Sequence, residues 1–382
     1  MKYIKNAKLV LENGIVWDGA LLIDGDRIAA CGKETDLPVP EGVEIIDAQG
    51  SYVGPGFVNI HVHGGDVWSF YDHPMEAAHH FLSKGDTTIL GALYYDLSKE
   101  DFVKGIHTIR SAMKNPGAGK ALKGIYMEGP YMNPKYGARS EQNKWKGLIR
   151  AEDFKQIVDE AGLDAKVWAV APEREGVEDF MQYARQVNPT VMFSVGHSEA
   201  TPTQIRRVRR YGLHLQTHCM DATGQNVKWA GTRGSGPDEA CLLDPDMYAE
   251  IISDSGAVHV NAELQRMIIR NKGIDRVVLI TDSFVSFEES PEELKYLTDL
   301  VFDANRGLNG SKLTMSVAAR NIMTHTNCGI AQAFLMASRN PARVIGMDDE
   351  IGTIEPGKRA DLVFVNDRMD VSRVMLNGEF YE

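Results

Sequence analysis

The pattern of apolar and polar positions divides the chain into a long central part and two flanking parts. Between residues 54 and 348, short apolar runs alternate with stretches whose apolar residues recur at helical spacing. The apolar runs predict eight strands, at residues 57–61, 87–93, 122–128, 167–171, 190–195, 213–217, 248–253 and 277–281. Helices are predicted between them at residues 75–84, 99–113, 151–161, 201–211 and 260–272.

Eight strand–helix units in about 290 residues favour a (β/α)8 barrel, an α/β fold whose parallel strands form the inner wall. An open, doubly wound sheet is the alternative. It is disfavoured because no Gly-x-Gly-x-x-Gly motif follows the first strand. We therefore expect a barrel that spans residues 54–348.

Both ends of the chain show a different pattern, with short strands separated by tight turns. Near the amino terminus, turns are predicted at Asn13-Gly14, Asp18-Gly19 and Asp24-Gly25, between strands at 8–11, 15–17, 20–23, 27–31 and 44–47. Near the carboxyl terminus, strands are predicted at 350–354, 360–365 and 371–376. Because neither set can bury much core alone, we expect residues 1–53 and 349–382 to form one small β-sandwich domain.

Polar side chains recur where the predicted barrel strands end. In barrels of this class the active site lies at the carboxyl ends of the strands. Six side chains that can bind a metal or transfer a proton occupy this position on five strands: His61, His63, Glu128, His197, His218 and Asp282. Each residue alone is weak evidence, because histidines and carboxylates are common at strand ends. Their repetition predicts one shared site.

The pair His61 and His63 is the most specific part of this set. Side chains two residues apart on a strand point to the same side. Two adjacent imidazoles gain little from each other in an apolar environment, yet they are well suited to binding zinc or iron. Two separately hydrogen-bonded histidines are the alternative. The neighbouring Gly64 and Gly65 clear space and favour a metal site.

Composition and charge narrow the range of partners. The 382 residues include 41 basic and 53 acidic side chains, a formal charge of −12, which disfavours binding to nucleic acid or to an anionic membrane. The arginine-rich segment 204–210 is interpreted as a solvated helix face. With four widely spaced cysteines, no signal-peptide pattern and no run of eighteen apolar residues, we expect a cytoplasmic protein that acts on a small molecule.

Several motifs resemble those of the amidohydrolase superfamily. The sequence Pro-Gly-Phe-Val-Asn-Ile-His-Val-His-Gly at residues 55–64 resembles its metal-binding opening, and residues 352–363 are similar to its C-terminal β-domain motif. Within the superfamily, the chain resembles the deacetylases of N-acetylglucosamine 6-phosphate over nearly its whole length. The matching stretches are residues 127–131, 195–200, 217–218, 279–282, and 310–315 through 337–342.

The resemblance implies a set of metal ligands. Glu128, His197 and His218 are expected to bind one divalent ion, and His61 and His63 a second ion with Glu128 as the bridge. Some members of the deacetylase family lack the first histidine pair and hold one metal, so one or two ions of zinc or iron per chain are expected. Other branches use a carboxylated lysine from the fourth strand. Lys166 lies at the wrong end of its strand for that role.

The resemblance also implies the reaction, which is hydrolysis of an N-acetyl amide by metal-activated water. Asp282 is expected to accept the water proton and to deliver it to the departing amine, which is a poor leaving group until it is protonated. A helix N-cap is the alternative role for an Asp that directly follows a strand.

Five further residues correspond to family positions near the substrate: Arg139, Asp221, Ala222, Arg233 and His259. In the family, phosphate binding involves an arginine contributed in part across a homodimer interface, so a homodimer is expected. A surface arginine and a capped histidine are the alternatives for Arg233 and His259. The chain departs from the family at two positions, because relatives carry His or Gln at Arg139 and Asn at Asp221.

Three functions remain open. The first is removal of the acetyl group from an N-acetyl amino sugar phosphate. The second is the same chemistry on an unphosphorylated N-acyl compound or a cyclic amide, which the negative charge of Asp221 favours. The third is a catalytically silent scaffold, against which the intact set of six strand-end residues argues.

Overall fold

A computed structural model of the protein describes residues 1–382. The first five strands are β1 (Lys2–Leu11), β2 (Gly14–Asp24), β3 (Arg27–Lys33), β4 (Glu44–Asp47) and β5 (Tyr52–Pro55). The turn predicted at Asp18-Gly19 is wrong, because β2 continues through both residues. Gly19 is required by packing instead: a Cβ there would lie 2.4 Å from Cγ of Leu9 on the paired strand.

The central part contains eight parallel strands whose order in the sheet follows their order in the chain. The first of them, β6 (Phe57–Val62), is followed by a small hairpin, β7 (Gly64–Gly65) and β8 (Trp68–Ser69). The other seven are β9 (Asp86–Tyr94), β10 (Leu122–Glu128), β11 (Ala165–Val170), β12 (Met192–Val195), β13 (Leu213–Gln216), β14 (Tyr248–Ile252) and β15 (Val277–Ile280).

The sheet closes where the ends of β6 and β15 meet. The backbone N–H of Asp282 donates a hydrogen bond to the carbonyl of His61 (3.0 Å), and the N–H of His63 donates to the carbonyl of Ser283 (2.9 Å). These bonds bring the first and last strands together. The predicted (β/α)8 barrel is therefore confirmed.

Helices cover the outside of the barrel. They are α1 (Pro74–Leu82), α2 (Lys99–Met113), α3 (Ala151–Ala161), α4 (Val177–Val187), α5 (Pro202–Val208), α6 (Pro237–Leu243), α7 (Ala262–Lys272), α8 (Met315–Thr326), α9 (Ile330–Phe334) and α10 (Asn340–Val344). The helix α2 begins with a reciprocal capping box between Ser98 and Asp101 and buries Phe102, Ile106 and Ile109 on one face. Each such buried apolar side chain stabilises the fold by about 1.5–3 kcal/mol. None of these helices has both the length and the apolar character needed to cross a membrane.

Alternate residues of the barrel strands face two different cores. In β9, Leu90 and Ala92 belong to one buried cluster together with alternate residues of the other strands, whereas Ile89 and Leu93 pack in a second cluster with the covering helices. This arrangement explains why the strands read as continuous apolar runs in the sequence: both faces of a parallel sheet are covered.

The last strands return to the small domain. After a hairpin of β16 (Leu300–Phe302) and β17 (Leu308–Ser311), the chain ends with β18 (Leu362–Val365), β19 (Val371–Leu376) and β20 (Glu379–Tyr381). Strands from both chain ends form one continuous mixed sheet in the order β20-β19-β18-β5-β1-β2-β3, with β4 parallel to β1. Its own core contains Leu9, Leu21, Val53, Leu362, Phe364 and Met375.

The strand predicted at residues 350–354 is absent. Gly352 has a φ of +91°, which is unfavourable for other residues, and a Cβ on it would lie 2.8 Å from Cβ of Ala342 in α10. The chain therefore turns against this helix, and Ile351 and Ile354 are buried in two different clusters.

Candidate metal centre and substrate cavity

Three residues of the candidate site share the same backbone position and conformation. His197, His218 and Asp282 are each the second residue after a barrel strand, and their φ angles are +46°, +26° and +45°. Left-handed backbone in residues other than glycine costs about 1–3 kcal/mol and is typical of functional sites. The repetition on three strands indicates that the end of the barrel is shaped to present these side chains.

Glu128, the last residue of β10, lies at the centre of the site. Its Oε1 is 2.9 Å from Nε2 of His197 and 3.3 Å from Nε2 of His218. Its Oε2 is 3.0 Å from Nε2 of His63 and 3.5 Å from Nε2 of His61. Each carboxylate oxygen therefore faces a different pair of histidines, which is the arrangement expected of a bridging ligand.

Asp282 completes the second of these groups. Its Oδ1 lies 3.3 Å from Nε2 of His63 and 3.7 Å from Nε2 of His61. Two sets of side chains can each hold a cation, His61, His63, Glu128 and Asp282 in one and Glu128, His197 and His218 in the other. The structure brings all six residues singled out at the strand ends into one cluster.

The carboxylates and imidazoles of the cluster shift one another's pKa values. Burial raises the pKa of Glu128, but the charge of His61 and hydrogen bonds from His197 and His218 outweigh it and hold that pKa well below its usual range. Burial lowers the pKa of His218, whereas its hydrogen bond to Glu128 raises it to about 9. A cation bound by these residues takes the place of protons that the imidazoles otherwise share with the carboxylate.

Glu250 is a functional candidate that the sequence analysis missed. It lies within β14, is fully buried, and its Oε2 is 3.2 Å from Nδ1 of His61. The same oxygen accepts a hydrogen bond from the backbone N–H of His218 (3.2 Å) and one from the hydroxyl of Tyr126 (3.3 Å). A carboxylate inside an otherwise apolar strand, Tyr-Ala-Glu-Ile-Ile, was the signal that could have identified it.

A cavity of about 330 Å³ opens beside the cluster. It is lined by four of the five residues expected near the substrate: Arg139, Asp221, Ala222 and His259. Arg233 does not line it; its side chain is 77% exposed and paired with Glu239 at 3.2 Å. Lys166 is the second residue of β11, at the opposite end of the strand from the cluster.

His259 is held firmly at the edge of this cavity. Its Nδ1 lies 3.0 Å from Oδ2 of Asp254, which is fully buried and also accepts hydrogen bonds from the backbone N–H groups of Gly256, Val258 and His259. Burial lowers the pKa of His259, but the hydrogen bond to Asp254 outweighs it and raises the pKa overall. Its Nε2 is buried without a partner and is therefore available to a ligand.

Other lining residues come from the end of β9 and from segments after the last barrel strand that carry no recognisable pattern. Tyr94 and Phe284 supply aromatic surface next to His63, with ring centroids 5.5 and 5.2 Å from its imidazole. Asp303 and Asn309 enter from the hairpin of β16 and β17. A loop contact of this kind depends on how the loop folds back over the barrel, so periodicity in the sequence cannot reveal it.

Comparison with known proteins identifies one matching family and relatives that are named as sugar-phosphate deacetylases. The model of the amidohydrolase family matches residues 52–380. The chain is 29% identical to an N-acetylgalactosamine-6-phosphate deacetylase of Escherichia coli O157:H7, with 98% of both chains covered. It is 26% identical to an N-acetylglucosamine-6-phosphate deacetylase of Haemophilus influenzae over 100% of both chains.

Solved structures agree in fold. The crystal structure of N-acetylglucosamine-6-phosphate deacetylase from Pasteurella multocida superposes with a TM-score of 0.85 at 24% identity, covering 99% of both chains. The shared fold includes both the barrel and the sheet built from the two chain ends.

Proposed function

Because the chain belongs to the amidohydrolase family, we propose that it is a metal-dependent deacetylase acting on an N-acetyl amino sugar phosphate. N-acetylglucosamine 6-phosphate or a close epimer is the proposed substrate, in line with the names of the relatives that it matches along its length. The observation that carries this proposal is the division of the Glu128 carboxylate between two pairs of histidines.

The donor set fits zinc or iron, with imidazole nitrogens and carboxylate oxygens converging from several strands. Nε2 of His61 is buried without a hydrogen-bond partner, as expected for an atom reserved for a cation. Glu128, His197 and His218 would hold one ion, and His61 and His63 with Glu128 a second. Such an ion would supply Lewis-acid polarisation of the amide carbonyl and an activated water near neutral pH.

Asp282 is the proposed proton carrier. Burial raises its pKa, but the hydrogen bond with His63 and the charge of His61 outweigh that effect and lower it overall. The carboxylate is therefore ionised near neutral pH and can accept a proton. Its position beside the cavity lets it pass that proton to the nitrogen of the scissile amide, which then departs as a neutral amine.

Substrate positioning is proposed for the remaining residues. The free Nε2 of His259 is a donor for a substrate oxygen when the ring is protonated, a state favoured by Asp254. Asp221 and Ala222 line the same cavity. Arg233 is exposed on its own chain, so its proposed role requires a homodimer in which it approaches the partner's cavity. Four free cysteines are in keeping with the proposed cytoplasmic location.

Acetate release tests the proposal. The zinc-loaded and iron-loaded protein is incubated separately with N-acetylglucosamine 6-phosphate, N-acetylgalactosamine 6-phosphate and the two unphosphorylated sugars, with Glu128→Gln as the inactive control. Release from a phosphorylated sugar supports the proposal. A protein that retains no stoichiometric metal and releases no acetate would instead be a silent scaffold.

A second candidate is hydrolysis of an unphosphorylated N-acyl compound or a cyclic amide. One observation favours it: Glu141, Asp221 and Asp303 all line the cavity, so a phosphate dianion bound there would lie among negatively charged residues. Acetate release that is confined to the unphosphorylated sugars in the same assay would select this candidate.

A further inference from the structure

Arg139 is the only lysine or arginine among the residues that line the cavity. The acidic residues Glu141, Asp221 and Asp303 line it as well, in addition to Glu128 and Asp282 of the histidine cluster. An anionic group on a substrate would therefore be repelled by most of the charged groups around it. Within a single chain, Arg139 is the one permanent cation that can compensate.

The guanidinium of Arg139 makes no hydrogen bond within the chain. Its Nε and Nη2 atoms are buried without a partner, and the nearest carboxylate oxygen, Oδ2 of Asp96, is 3.6 Å from Nη2. The side chain is 24% exposed, and Nη1 is not among its buried unpaired atoms. Buried polar groups are almost always satisfied, so unused donors on a guanidinium that lines a cavity favour a role in binding a ligand.

Packing holds this group close to the reacting centre. Arg139 has a φ of +52°, and its guanidinium carbon lies 5.1 Å from the ring centroid of Phe284. The Phe284 ring is in turn 5.2 Å from the imidazole of His63. One aromatic ring therefore separates Arg139 from the candidate metal ligands, and the stacking keeps the cation fixed in orientation.

We propose that Arg139 binds an anionic group of the substrate, through phosphate or carboxylate oxygens, and thereby determines which acylated sugars the enzyme accepts. This inference rests on the proposed function for the identity of the reacting amide. It explains how a cavity that contains Asp221 can take a negatively charged sugar. A phosphate at one end of the sugar ring and a carboxylate on a ring substituent present the same oxygen chemistry to the guanidinium.

Binding of three related amines tests the proposal without requiring turnover. Glucosamine, glucosamine 6-phosphate and muramic acid share the sugar amine, but they carry no anion, a phosphate and a carboxylate, respectively. Their affinities for the zinc-loaded full chain are measured by calorimetry in the wild type and in Arg139→Gln. We expect the substitution to weaken at least one anionic ligand by about 10- to 100-fold and to leave glucosamine unchanged. The ligand that responds identifies the anion.

Two further variants control the measurement. Arg210→Gln removes an exposed arginine that does not line the cavity and is expected to change none of the three affinities. Asp96→Asn removes the carboxylate nearest Arg139 and is expected to tighten the same anionic ligand. Equal changes for all three ligands in Arg139→Gln, no change for any, or a wild type that prefers neither anion over glucosamine would overturn the inference. Because acetate release is a separate assay, a failure of the proposed reaction would be seen independently.

Discussion

Glu250 accepts a hydrogen bond from Nδ1 of His61 across 3.2 Å, and neither side chain is reached by solvent. A carboxylate can only accept, so this contact fixes the proton of the imidazole on Nδ1 and leaves Nε2 facing Glu128. The ring of Tyr126 stacks on His61 with centroids 4.0 Å apart. The orientation of His61 is therefore set by groups behind it as much as by those in front.

Replacing Glu250 with Gln is expected to reduce metal affinity about 10- to 100-fold, because outer-shell partners of this kind orient the ligand and raise its basicity. The measurement is zinc affinity by competition with a chelator. The control is the same substitution at Glu239, which pairs with the exposed Arg233 and is not a candidate metal ligand. Unchanged affinity would mean that His61 does not bind metal in the orientation described.

Asp282→Asn is expected to leave fold and metal content near normal and to lower turnover by roughly 10²–10⁴-fold, since the amide cannot carry a proton. Metal analysis and steady-state kinetics on the same preparation check this. Substantial activity in Asp282→Asn would show that Asp282 is not the proton carrier, and the alternative role as a helix N-cap would then be preferred.

Substitutions of the histidines distinguish the two metal positions. His197→Ala or His218→Ala is expected to empty the position on Oε1 of Glu128, whereas His61→Ala removes only an ion on Oε2. Metal content per chain, measured by mass spectrometry after dialysis, reports the difference. The same loss in all three variants would contradict two separable positions.

Asp221→Asn addresses the substrate. Like charges about 4 Å apart in a medium of effective dielectric near 20 repel by roughly 4 kcal/mol, so removing this charge is expected to raise kcat/KM for the phosphorylated sugar by tenfold or more. The exposed Asp246 provides a control as Asp246→Asn. If the wild type already has a high kcat/KM for the phosphorylated sugar and Asp221→Asn leaves it unchanged, the second candidate function, on an unphosphorylated substrate, fails.

Between pH 5 and pH 7, we expect ionisation of Asp86 to contribute strongly to the pH dependence of the free energy of unfolding. Burial raises its pKa to about 7, and its hydrogen bond from Asn59 only partly offsets this. A raised carboxyl pKa gives stability that is present below the unfolded value and lost as pH rises to 7, at roughly 1.4 kcal/mol per pH unit. Asp86→Asn should therefore gain stability relative to wild type between pH 5 and pH 7.

Urea denaturation at pH 5, 6, 7 and 8 measures this effect for Asp86→Asn and for the exposed control Asp367→Asn. The difference in unfolding free energy between wild type and Asp86→Asn should widen in favour of the variant as pH rises. A constant difference would show that Asp86 is ionised throughout the range.

The parts of the fold that the sequence predicted well are those in which each strand has both faces covered. All eight barrel strands lie within two residues of the predicted bounds, because a run such as 122–128 is apolar on both sides. Once the strands were predicted, strand-end residues such as His197 could be assigned to the candidate site from their position in the sequence. The fold class and the family were both confirmed.

What the sequence could not predict depends on contacts between distant segments. The packing role of Gly19 is invisible without its neighbour Leu9, and Glu250 acquires a role only through His61, 189 residues away. Arg139 gains its environment from Phe284 on the last barrel loop. The periodicity of apolar residues indicates which face of a helix or strand is buried, but it does not identify the side chains of other segments that pack against that face.

Closure of the barrel through Asp282 and His61 has a consequence for the order of assembly on the ribosome. Glu128, His197 and His218 all belong to the middle of the chain, so the position on Oε1 is fully encoded once residue 218 has been synthesised. Asp282, by contrast, meets the strand that carries His61 only when the last barrel strand is in place, and the small sheet needs β18 to reach β5. The proposed metal ligands are thus all synthesised before the proposed proton carrier, which joins them only when the barrel closes.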